Sequence, residues 1–208
     1  MRHVVLTLLT ACGAPRPAEP LPHVHHHAHA GHHFEDAREW AQTFDDPSRD
    51  EWQRPEEVVR LLGVEPGDVV VDLGAGTGYF LAHLSRAVGE RGRVIALDVE
   101  PSMVEHMRLR AEREGLRNVE VRHVAPDDPG LGESSVNKIL IVDTWHHIAD
   151  RGAYAALLRR ALIADGCTTS AARVLVVDYT RDAPEGPPPE MRLPPEVVVE
   201  ELRVGSLH

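Results

Sequence analysis

Val69-Val70-Val71-Asp72-Leu73-Gly74-Ala75-Gly76-Thr77-Gly78-Tyr79-Phe80 is the stretch on which the fold turns. A short β-branched apolar run, Asp68–Leu73, reads as a buried strand. Glycines follow at alternate positions, 74, 76 and 78. With no Cβ there, the backbone can turn sharply and let a ligand come close to it. Phe80, Leu81 and Leu84 then share one side of a helix expected over about Thr77–Val88. The free N–H groups and positive dipole end of such a helix suit an anionic group such as a carboxylate.

On either side of this unit, strands and helices alternate. The pattern predicts a helix from Pro55 through Val58, Val59, Leu61 and Leu62, stopped by Gly63. Beyond the glycine turn it predicts strands at Arg93–Leu97, Val119–Val124, Lys138–Val142 and Arg173–Tyr179. Helices are expected at Pro101–Glu114, Asp150–Ile163 and Pro195–Arg203. Alternation of this kind implies βαβ units with right-handed crossovers, hence an α/β, doubly wound, mostly parallel sheet.

The second strand runs into Asp98, twenty residues beyond Gly78, where a carboxylate can accept both ribose hydroxyls of an adenosine-containing ligand. The dinucleotide fingerprint G-x-G-x-x-G needs glycine at position 79, and the chain has Tyr79. A carboxylate at Asp72 would repel a pyrophosphate but can accept a hydrogen bond from an α-amino group. The order Asp72, three alternate glycines, Asp98 therefore favours S-adenosylmethionine (SAM) over NAD. A tight strand–helix turn with no ligand is the plain alternative.

Val69–Phe80 resembles motif I of the class I, Rossmann-like SAM-dependent methyltransferases, and the likeness covers roughly residues 35–200. The resemblance implies SAM as cofactor, with Asp72, Gly74, Gly76 and Gly78 on its methionine portion and Asp98 on its ribose. It places Glu100 and Met103 beside the adenine, and makes Asp127 a displaced candidate for the adenine amine. It also makes the tip of the fourth strand, Asp143-Thr144-Trp145-His146-His147, the edge facing the acceptor. Asp143 is the first candidate for a group touching the reaction. His146 or His147 could act as a base, since an imidazole titrates near neutral pH. The plain alternative is that one histidine packs beneath the loop while the other is solvated.

The 208 residues suit one domain, and 42% hydrophobic with 26% charged residues place it among globular chains. A net charge of −11 argues against nucleic acid as a partner. Residues 1–33 read as a segment apart: an apolar run Val4–Ala11 ending Leu9-Thr10-Ala11-Cys12, a Pro/Ala-rich tether, and seven histidines between His23 and His33. The first part resembles a bacterial lipobox, in which Cys12 would be lipidated and anchor the chain to a membrane; a frayed terminus with a chance cysteine is the alternative. The compartment is then either the cytoplasm or the bacterial envelope. The imidazoles could chelate Zn²⁺, Ni²⁺ or Cu²⁺, but no acid or cysteine fixes a geometry, so no defined metal site is expected. Residues 34–208 form the expected methyltransferase domain. Within it 34–62 is a helical lid carrying Phe34, Trp40, Phe44 and Trp52, with a short helix over Glu35–Thr43.

Two features depart from the family pattern. Ala164–Ala172 looks like an insertion before the last strand. The antiparallel strand pair that usually closes the sheet after the last helix is missing, which predicts an exposed sheet edge. The reading is therefore a SAM-dependent methyltransferase acting on a small-molecule acceptor. Its competitors are a non-catalytic, envelope-anchored protein with a degenerate SAM fold and a metal-binding tail, and, third, an NAD-dependent oxidoreductase.

Overall fold

Apolar side chains on both faces of a strand demand cover on both sides, and Val69–Leu73 is buried along nearly its whole length. The computed structural model describes residues 4–10, 45–46, 48–163, 172–184 and 186–207. In it this strand, β2, lies inside a six-stranded sheet. The other strands are β1 (Val4–Thr10), β3 (Arg93–Asp98), β4 (Val119–His123), β5 (Lys138–Val142) and β6 (Arg173–Tyr179). The order across the sheet is β1-β6-β5-β2-β3-β4. The five strands β2 to β6 run parallel, with β2 between β3 and β5. Six α-helices lie among the described residues: α1 (Arg49–Gln53), α2 (Pro55–Leu62), α3 (Leu81–Val88), α4 (Pro101–Arg113), α5 (Arg151–Ala161) and α6 (Pro195–Val204).

Residue parity along each strand decides which layer it faces, because successive side chains point to opposite faces. Val71, Leu73, Ile95, Leu97, Ile139, Ile141, Val174 and Val176 pack in one core with Tyr154, Leu158, Val198 and Leu202 of α5 and α6. Their neighbours Val70, Val94, Ala96, Leu140, Leu175 and Val177 pack in the other with Leu62, Leu84, Val88 and Met107 of α2, α3 and α4. This two-sided core is the expected doubly wound architecture.

Two expectations need correction. The helix after the glycine turn begins at Leu81 and not at Thr77, because Gly76–Phe80 is spent on turns. The second concerns the sheet edge expected to be bare. It is covered by β1, which pairs antiparallel with β6 in the register Val4↔Tyr179 through Thr10↔Arg173. The apolar run read as a signal core thus supplies an edge strand, and residues 1–33 are not wholly separate from the fold. Cys12, the histidine-rich segment, residues 34–44 and 164–171 lie outside the described residues.

Candidate active site

A cavity of about 380 Å³ opens where β2, β3 and β5 end, the side on which doubly wound sheets bind ligands. The glycine turn makes its floor. Gly74, Gly76 and Gly78 have φ of 68°, 56° and 82°, a region that side chains with a Cβ rarely adopt. The N–H groups of Gly74 and Ala75 donate to the Leu97 carbonyl at 2.9 and 3.0 Å, pinning the turn against β3. A Cβ on Gly74 would lie 2.3 Å from Thr144, so that glycine admits the β5 tip. Gly78 is not among the lining residues; a Cβ there would meet Leu81 at 2.6 Å, so this glycine lets α3 pack against the turn.

Asp98 ends β3 on the cavity wall. Its two oxygens accept the N–H of Gly76 at 2.8 Å and of Glu100 at 2.9 Å, which fixes the carboxylate and leaves lone pairs for a diol. Met103 and Glu100 line the same end, with Leu97, Val124 and Ile148. Asp127 does not: Pro126 takes the wall position, and Asp127 is exposed outside the cavity lining.

Asp72 is buried at the end of β2, and its Oδ2 has no hydrogen-bond partner. Burial, opposed by the Arg49 cation and aided by Asp98, pushes its pKa up to about 7. An orphaned buried carboxylate oxygen on a cavity wall leaves a place for a hydrogen-bond donor. Arg49, a residue the sequence reading did not single out, reaches the same cavity from α1. Its guanidinium lies 4.0 Å from the Tyr79 ring centroid and 5.8 Å from that of Trp52. Asp45 holds the start of this segment over the glycine turn, accepting from Thr77 Oγ1 and Arg110 Nη1, each at 2.8 Å. The Tyr79 hydroxyl donates to Asp50, and burial, reinforced by this bond, pushes the phenol pKa up. One cavity thus offers an anion, a cation and a diol acceptor in fixed places.

At the β5 tip, Asp143 adopts φ 52°, its N–H donating to Val177 at 2.8 Å, and its side chain lines the cavity. Beyond it a 3₁₀ turn, Trp145–His147, is anchored by Trp145. That side chain is fully buried, and its Nε1 donates to Glu201 at 3.0 Å beside Arg151 at 2.8 Å. The turn splits the histidine pair. His147 faces the cavity, whereas the His146 side chain is buried, does not line the cavity and lies with Nδ1 3.0 Å from Asp178 Oδ2. Asp178 also escaped the sequence reading, although it is the acid that breaks the apolar run of β6.

A sequence family described as a methyltransferase domain matches residues 70–166. A SAM-dependent methyltransferase from Aquifex aeolicus superposes with a TM-score of 0.73 at 30% identity, covering 82% of this chain and 87% of that one. A ubiquinone/menaquinone biosynthesis C-methyltransferase, UbiE, from Teredinibacter turnerae is 28% identical over 124 residues, which is 59% of this chain and 47% of that protein. Aklanonic acid methyltransferase DauC from Streptomyces sp. strain C5 is 34% identical over 109 residues, 51% of this chain and 49% of that protein. The chain spans about half the length of these two curated relatives.

Proposed function

Because the chain belongs to the SAM-dependent methyltransferase family, we propose that it is an enzyme moving the methyl group of SAM to a small organic acceptor. The observation that carries this reading is the pairing of opposite charges beside the glycine turn. The unpartnered Asp72 oxygen suits an α-ammonium, and the Arg49 guanidinium beside it suits an α-carboxylate. Asp98 suits the ribose diol. A dinucleotide would instead bring its pyrophosphate against Asp72, where a buried anion opposes it. When bound, SAM supplies an electrophilic methyl group on a sulfonium centre. The protein's part is to hold it, to orient an acceptor at the β5 tip and to keep water out with the α1 segment. A small-molecule acceptor accords with the two relatives, one named for ubiquinone and menaquinone biosynthesis and the other for aklanonic acid. The pairing of β1 with β6 favours a mature chain that keeps Val4–Thr10, since cleavage before Cys12 would remove an edge strand.

SAM at ~100 times its dissociation constant should stabilise the fold by ~2.7 kcal/mol. For a domain of this size that is a melting shift of roughly 5–10 °C. An equal shift with NAD and none with SAM would overturn the reading. The shift should also depend on pH. Asp72 pairs with a cation only when ionised, and its pKa is held up at about 7. Below that midpoint SAM affinity should fall by up to about tenfold per pH unit, and above it level off.

Asp98→Ala removes the diol acceptor together with the bond to the Gly76 N–H. It should weaken SAM binding by roughly 1.5–3 kcal/mol, the scale of hydrogen bonds to a charged group. Calorimetric titration gives the number directly, and an unchanged affinity would place the pocket elsewhere.

A further inference from the structure

Asp143, His146 and Asp178 come from three separate elements, the β5 tip, the 3₁₀ turn and β6, and each has an oxygen or nitrogen within 4.8 Å of the others. His146 and Asp178 are hydrogen-bonded behind the cavity wall with side chains 2% and 6% exposed. Asp143 lies in front of them on the wall itself, with a buried Oδ1 that has no partner. Two carboxylates packed this closely, away from water, do not both stay ionised without a proton or a cation to share.

We propose that these residues hold protons as one unit, in which Asp143 takes a proton from the acceptor while Asp178 and His146 are positioning residues that set its readiness to do so. The inference rests on the methyl-transfer reading above and narrows the acceptor to the protic class, in which the methylated oxygen, nitrogen or carbon carries a hydrogen that must leave. The acceptor's X–H bond breaks and the proton goes to Asp143. The electron pair left on X forms the X–CH₃ bond as the S–CH₃ bond breaks and its pair stays on sulfur. A cation and a carboxylate thus become a neutral thioether and a carboxylic acid.

The surroundings give the unit a definite sign pattern. Asp143 is faced by Asp178 from β6, His146 from the 3₁₀ turn and Arg49 from α1; burial and then Asp178 raise its pKa to about 7, and His146 and Arg49 oppose them. His146 is in turn faced by Asp178, Asp143 and Arg151, with the His147 ring 4.2 Å away. Removing each partner should therefore move Asp143 in opposite directions.

The test is a carbon-13 titration of aspartate carboxyl groups in the full chain, with the Asp143 signal assigned by its loss in Asp143→Asn. In Asp178→Asn the Asp143 midpoint should fall by ~1 pH unit or more, and in His146→Gln it should rise. If Asp178→Asn does not fold, the His146→Gln rise decides the matter by itself. Midpoints that stay put, or move in the same direction, overturn the proposal. So does Mn²⁺ broadening of the Asp143 and Asp178 signals that is lost in Asp178→Asn, since the cluster would then be a cation site. SAM titration of the same samples separates the two levels. If SAM fails to bind to the unaltered chain, the methyl-transfer reading fails; if it binds while the Asp143 midpoint ignores Asp178 and His146, only this inference fails.

Discussion

Gly76→Val is expected to abolish SAM binding. Gly76 has φ 56°, and a β-branched residue in that region costs of order 1–3 kcal/mol of strain. Relief of that strain would swing the Gly76 N–H away from Asp98 Oδ2, 2.8 Å distant, so the turn and the diol acceptor lose their mutual register together. The added isopropyl group also stands where backbone lines the cavity. The scaffold is pinned independently, by the Gly74 and Ala75 bonds to Leu97 and by α3 packing, so Gly76→Val should remain folded by circular dichroism. Calorimetry then gives the answer: tight binding to a folded Gly76→Val chain would show that SAM does not touch this turn.

Asp143→Asn is expected to separate activity from stability. With an acceptor found by screening, turnover should fall by ~10²-fold or more, the scale of lost acid–base help. In the unaltered chain, turnover should fall as pH drops through about 7, because only the ionised carboxylate can take a proton. Stability should move the other way. Folding raises the Asp143 pKa from 3.8 to about 7, so the folded state favours the neutral acid. The contribution of this group to stability therefore declines as pH rises across that window. A neutral amide removes the decline, so Asp143→Asn should melt higher than the unaltered chain at pH 8. Unchanged turnover with raised stability would make Asp143 a structural residue and nothing more. His146→Ala should also lower turnover, but through Asp178 and with a loss of melting temperature, since the ring is buried.

Strands β5 and β6 have the bounds that their sequence suggests, because a continuous apolar run flanked by polar residues leaves one register for burial on both faces. The glycine turn, Asp72, Asp98 and Asp143 were legible for a related reason: backbone conformation and strand-end chemistry are written locally. Arg49 and Asp178 were not. Arg49 reaches Tyr79 only because Asp45 and Asp50 draw α1 onto the glycine turn, contacts that bridge about thirty residues of chain. Asp178 gains meaning from His146, which precedes it by 32 positions. The same holds for Val4–Thr10, whose apolar run before a cysteine satisfies the pattern of a signal core and that of an edge strand equally. What distinguishes them is a partner strand at the other end of the chain, which local periodicity does not record.

That partnership has a kinetic side. Among the described strands β1 comes first along the chain and β6 last, and their ladder closes a loop of roughly 160 residues. Contacts of such sequence separation form late and slow folding. A nascent chain emerging from the ribosome can assemble β2 to β5 in order as each βα unit appears, while β1 waits unpaired and the outer edge of β6 has no cover until it returns. The interval between completion of β6 and capture of β1 is therefore the moment at which this protein is most open to edge-to-edge pairing with another copy.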